Sequence, residues 1–119
     1  MGVNKAITRR RLYSLFAEYN KLYFGNRLKR PDIYLLMKKR PYGMCGRGKR
    51  CGQRITDIWI SKYIEKEEFL QMILIHEMIH QYVFEVLKGP TYTIIPHGLR
   101  FHLMRLYLNH KYKLKICPN

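Results

Sequence analysis

Acidic residues are scarce in this chain: 8 Asp and Glu stand against 23 Lys and Arg, which leaves a net charge of +15 over 119 residues. Such a field attracts polyanions and speeds encounters with them, so the composition favours a nucleic-acid partner, although charge does not choose between DNA and RNA. Cysteine is also sparse. The three thiols, Cys45, Cys51 and Cys117, are too few and too oddly spaced for a disulfide scaffold or a paired-cysteine zinc site, and they read as free thiols in a reducing compartment. No apolar run approaches the roughly 20 residues that a membrane-spanning helix needs. The basic stretch Met1 to Arg11 has no apolar segment of the kind that marks a secretion signal. Internal repeats and low-complexity tracts are missing as well. These absences exclude the membrane, fibrous and disulfide-rich classes. They leave a single domain, residues 1–119, expected in the cytoplasm, or in the nucleus of a eukaryote.

Apolar residues are plentiful, at 47% of the chain, and their spacing outlines the elements. Leu12, Leu15, Phe16, Tyr19, Leu22 and Tyr23 recur at three and four residues, which predicts a helix from about Thr8 to Phe24 closed by Gly25-Asn26. Asp32 to Lys38 and Arg54 to Ser61 read as strands, with a weaker one at Tyr42 to Gly46 and a loop at Gly46 to Arg50. Two or three such strands are expected to pair antiparallel, because the connections are too short for parallel crossovers. A second helix is predicted from about Lys66 to Leu87. It is apolar on almost every side, as the central helix of a domain is, and Gly89-Pro90 marks its end. A third, from about His97 to His110, carries Leu99, Leu103, Leu106 and Tyr107 on one side. Helix, strands, helix, helix is an α+β order.

Polar groups inside the central helix need an explanation, because burying them unpaired is costly. The sequence there is His76-Glu77-Met78-Ile79-His80. Two histidines four apart lie about 40° from each other around a helix axis, so both imidazoles can reach one ion. Glu77 points to the flank, where a general base for an activated water should stand. A catalytic zinc takes three protein ligands and leaves one position open. His97, His102 and His110 are the candidates for the third. His97 is preferred, because Pro96 and Gly98 frame it at the head of the third helix. His102 suits a supporting position and His110 a charge at the helix C-terminus.

His76-Glu77-Met78-Ile79-His80, followed by Pro96-His97-Gly98-Leu99-Arg100-Phe101, resembles the SprT-like metallopeptidases, which include the Spartan proteases. Leu15 to Phe24 is similar to that family's first helix, and Ile58-Trp59-Ile60-Ser61 to the segment ahead of its active-site helix. The resemblance implies a zincin-like fold, zinc on His76, His80 and His97, and Glu77 as the catalytic acid/base. For the Spartan branch it implies proteins crosslinked to DNA as substrates. Many members continue into a zinc ribbon. This chain stops at Cys117-Pro118-Asn119, and is expected to be the bare protease domain.

The expected activity is peptide-bond hydrolysis on a protein substrate, with Tyr92 a candidate to steady the oxyanion. Two basic clusters, Arg9, Arg10 and Arg11, and Arg47, Lys49, Arg50 and Arg54, are expected to meet phosphates, with DNA favoured. The rival reading is a basic nucleic-acid-binding module that keeps the zinc site and does not cut.

Overall fold

The computed structural model describes residues 6–89 and 98–118. Three helices and three strands follow in the order α1 (Arg9–Tyr23), β1 (Asp32–Leu36), β2 (Gly43–Arg50), β3 (Gln53–Ser61), α2 (Glu67–Glu85) and α3 (Gly98–Tyr112). This is the α+β architecture the sequence predicts. Among the described residues, no helix is long and apolar enough to cross a membrane.

Local chemistry sets the first helix. Thr8 is its N-cap, and its hydroxyl accepts from the Arg11 amide at 3.1 Å. Gly25 and Asn26 follow its end with φ of 61° and 58°, a conformation these two residue types tolerate. Leu12, Phe16 and Tyr19 are buried, and so is Asn20. The Asn20 amide clasps the connection to β1: its Nδ2 donates to the Leu28 carbonyl at 3.0 Å, and its Oδ1 accepts from the Leu28 amide at 3.2 Å.

The sheet order is β1-β3-β2. β2 and β3 form an antiparallel hairpin, whereas β1 runs parallel to β3, with Ile33 opposite Ile58. The expectation of an all-antiparallel sheet is therefore corrected to a mixed one. Its premise was a direct link between neighbours. Here β2 lies between β1 and β3 in the chain, and its length carries the backbone back to the starting edge so that β3 can align with β1. The expected loop at Gly46 to Arg50 is strand as well. The turn is Cys51-Gly52, with φ of 52° and 80°, the two positive values that a tight two-residue hairpin turn requires.

α2 packs against the sheet and the other two helices, and supplies Leu70, Ile73, Leu74, Ile75, Met78 and Ile79 to the core. Each such side chain contributes roughly 1.5–3 kcal/mol when fully buried. α3 meets this core through Phe101 and Leu108, both 0% exposed, with Met104 beside them. The stripe predicted for that helix faces the other way: Leu99 is 72% exposed and Leu103 57%, and Leu106 and Tyr107 are exposed too. At about 100° per residue, the two stripes lie on opposite sides of the same helix. Past α3 the backbone turns at Lys113 (φ 55°), and the tail returns to bury Ile116.

Candidate metal centre and catalytic cleft

His76 and Glu77 are buried on α2, at 4% and 5% exposure, and His80 is half-buried one turn on. The two imidazole centroids are 5.2 Å apart, with the rings at 69°. Two imidazoles bound to one tetrahedral ion at about 2.0–2.1 Å per nitrogen would hold their centroids roughly 5 Å apart. The pair thus fits one zinc-sized ion.

The orientation of His76 is fixed from outside its helix. Its Nδ1 lies 2.8 Å from the backbone carbonyl oxygen of Cys117. A carbonyl only accepts, so Nδ1 carries a proton and donates, and in the neutral ring the lone pair is then on Nε2, the nitrogen a metal would take. Phe101 fixes the pair from a third side. Its ring stacks on His80 at 4.4 Å and meets His76 edge-on at 4.7 Å. Neither Phe101 nor the Cys117 carbonyl is among the site groups expected from the sequence. Phe101 closes the motif from Pro96 to Phe101, and its place there is the one signal of this contact in the residues. A backbone carbonyl leaves no trace in side-chain identity.

A cleft of about 620 Å³ opens in front of these residues, between α2 and the β2 edge of the sheet. Tyr42, Gly43, Cys45 and Arg47 form its strand side. Gly43 matters for its missing side chain. A Cβ there would stand 2.9 Å from Glu77 Oε2 and 2.9 Å from Ile73 Cγ2, so only glycine lets β2 press this closely on the carboxylate. Burial raises the Glu77 pKa to about 8, against the opposing pull of the Arg47 guanidinium. The Cys45 thiol is pushed well above its usual range by burial first and the Glu77 charge second, so it is a poor nucleophile. All three cysteines are free, as expected.

The third expected ligand, His97, lies outside the described residues, and so does Tyr92. Among the described residues, no three His, Cys, Asp or Glu side chains group closely enough to hold an ion. His102 is half-buried with its ring edge-on to Phe101 at 5.6 Å, and His110 is exposed in the last turn of α3.

The expected phosphate contacts divide. Arg9 Nε donates to the Ile33 carbonyl at 2.7 Å, and Arg11 pairs with Glu67, whereas Arg10 is exposed. Arg54 donates to the Phe84 carbonyl at 3.1 Å and to the Gly89 carbonyl, which ties β3 to the end of α2. Arg47 is drawn into the cleft beside Glu77. Lys49 and Arg54 line a second cavity of about 410 Å³ with Arg27, Lys29 and Lys88, and Arg50 joins Arg30 in a third that shares Lys29 and Arg54. Glu85 lies in both cavities, its carboxylate occupied by Thr56, Gln81 and the Lys29 amide.

Comparison with known proteins agrees with the motif. The model of the SprT-like family matches residues 12–117. A search of curated proteins finds no match.

Proposed function

Because the chain belongs to the SprT-like family over residues 12–117, we propose that it is a zinc metallopeptidase. In this reading His76, His80 and His97 hold the metal, and Glu77 is the catalytic acid/base. One observation carries it: two imidazoles stand at the spacing a single tetrahedral ion imposes, one of them already held in the ligating tautomer, with a desolvated carboxylate between them in sequence. When bound, zinc supplies Lewis acidity that activates water and polarises a carbonyl.

The chain's own residues do the remainder. Glu77 takes a proton from the attacking water and returns it to the leaving amine. In the metal-free chain burial already raises the pKa of this carboxyl to about 8, toward the range in which a group can both take and give a proton near neutral pH. Phe101 and the Cys117 carbonyl keep the imidazoles aimed, so little reorganisation is left for the reaction. A substrate would lie extended along β2, an edge strand of the sheet that lines the cleft. Metal content by elemental analysis of wild type and His97→Ala tests the site and its third ligand together. About one zinc per wild-type chain, and a loss in the variant, are expected. Zinc-free wild type purified without chelator counts against the reading.

The second cavity favours a protein substrate carried on nucleic acid, and the family resemblance favours DNA. Arg27, Lys29, Lys49, Arg54 and Lys88 converge there, and the Glu85 charge is engaged internally. Nucleic-acid affinity that falls steeply with salt is the expected result, and salt-independent binding would remove this part of the reading. The rival reading is a nucleic-acid-binding module that holds zinc without cutting. It predicts full metal and salt-sensitive binding, but no cleavage of DNA-bound protein.

A further inference from the structure

Asn109, near the end of α3, makes a pair of hydrogen bonds that a surface asparagine would not need. Its Oδ1 accepts from the Ile116 amide at 2.9 Å, and its Nδ2 donates to the Ile116 carbonyl at 3.3 Å. The side-chain amide thus imitates a strand neighbour and fixes both backbone groups of one tail residue. Arg105 Nη1 adds a longer contact to the same carbonyl, at 3.5 Å. The Ile116 side chain is buried at 2% exposure, so the tail is anchored by packing and by hydrogen bonds at one point. The next residue is Cys117, whose carbonyl accepts from His76 Nδ1. A chain of contacts therefore runs from Asn109 through the Ile116 backbone to the Cys117 carbonyl and on to the His76 ring.

We propose that Asn109 is a positioning residue for the metal centre: by clasping Ile116 it sets the carbonyl that holds His76 in the Nδ1-protonated tautomer, leaving Nε2 to the metal. This rests on the metallopeptidase reading for the identity of the ion, but the tautomer is a property of the metal-free chain. A neutral imidazole in water interchanges its two tautomers freely, and a carbonyl on one nitrogen settles the choice. Partners of this kind are worth roughly 10–100-fold in metal affinity when lost.

The molecule supplies its own control. Asn20 makes the same double clasp on Leu28, where it holds the connection from α1 to β1. Asn20→Ala and Asn109→Ala each remove two hydrogen bonds to a buried backbone residue, so they should lose similar stability. Only the second should reach His76. The experiment is long-range ¹H–¹⁵N correlation of the histidine rings in the metal-free full chain, paired with zinc affinity from chelator competition. Expected for Asn109→Ala is a mixed His76 tautomer and about 10-fold or more weaker zinc binding, while Asn20→Ala matches wild type in both. Asn109→Asp keeps the acceptor for the Ile116 amide but sets a second acceptor against the Ile116 carbonyl, so it should depart from wild type in the same direction as the alanine variant; it serves if the alanine variant does not fold. A wild-type tautomer and wild-type zinc affinity in the Asn109 variants would overturn the proposal, as would equal changes in Asn20→Ala. If wild type itself bound no zinc, the peptidase reading would fall, and the ring spectra alone would decide the role of Asn109.

Discussion

α2 and α3 both carry apolar residues on more than one side, yet they use them in opposite ways. α2 is enclosed by the sheet and by α1 and α3, so its apolar residues are core and its few buried polar ones stand out as exceptions. α3 lies at the margin. Among the described residues, only its Phe101–Met104–Leu108 side is packed, and four large apolar residues on the opposite side are exposed. In an enclosed helix composition alone reveals the site, since a histidine there must be accounted for. At a marginal helix, composition cannot say which of two apolar stripes is the inner one.

The largest effect should come from the polar exception on α2. Glu77→Gln removes the proton carrier while leaving the imidazoles in place. Peptidase activity should fall by roughly 10²–10⁴-fold with zinc content unchanged; undiminished cleavage would refute the assigned role. The matching test on α3 is Phe101→Ala. Emptying a fully buried aromatic position costs about 3–5 kcal/mol, read from urea unfolding. Because the ring also stacks on His80 and abuts His76, zinc affinity should drop too. A stability loss with undisturbed zinc binding would reduce Phe101 to core filling.

The same contrast explains what could be read from the residues. The extent of α1, its Thr8 cap, the buried centre of α2 and the His76-Glu77-x-x-His80 face were all legible, because each depends on chemistry within a few positions in the chain. Strand direction was not, since β1 reaches its partner only after β2 has intervened. Gly43 gave no signal, because a close approach between β2 and α2 shows only once both are placed. The Cys117 carbonyl was hidden for a deeper reason: any residue would supply it. His97 lies outside the described residues, so its place as third ligand rests on its neighbours Pro96 and Gly98 and on the family resemblance.

Burial of Glu77 also predicts a pH effect in the metal-free protein. Its folded pKa, about 8, lies above the ordinary 4.5, so the fold favours the protonated carboxyl. The associated stability is fully present below about pH 4.5 and is lost as the pH rises through about 8. Glu77→Gln has no such proton to lose. Metal-free Glu77→Gln should therefore gain on metal-free wild type steadily between those two values and level off above them, measured as the difference in unfolding midpoint. A constant difference across the range would show that Glu77 is better solvated than its position implies. Gly43→Ala should act on the same carboxylate from β2, lowering turnover more than stability by displacing Oε2, and a variant with wild-type kcat would show that β2 yields freely.

The smallest effect belongs to the outer side of α3, and it tests the comparison most directly. Leu103 and Leu106 are more than half exposed, so a serine at either position gives up little burial. Each change should alter stability by no more than about 0.5 kcal/mol, partly through the weaker helix propensity of serine. Leu108→Ala, on the inner side of the same helix, should cost about 2–5 kcal/mol. The contrast arises within one helix, between leucines that differ in facing, and the added propensity cost of serine works against it. Were Leu103→Ser to cost as much as Leu108→Ala, both sides of α3 would be covered in solution, and α3 would be an enclosed helix like α2.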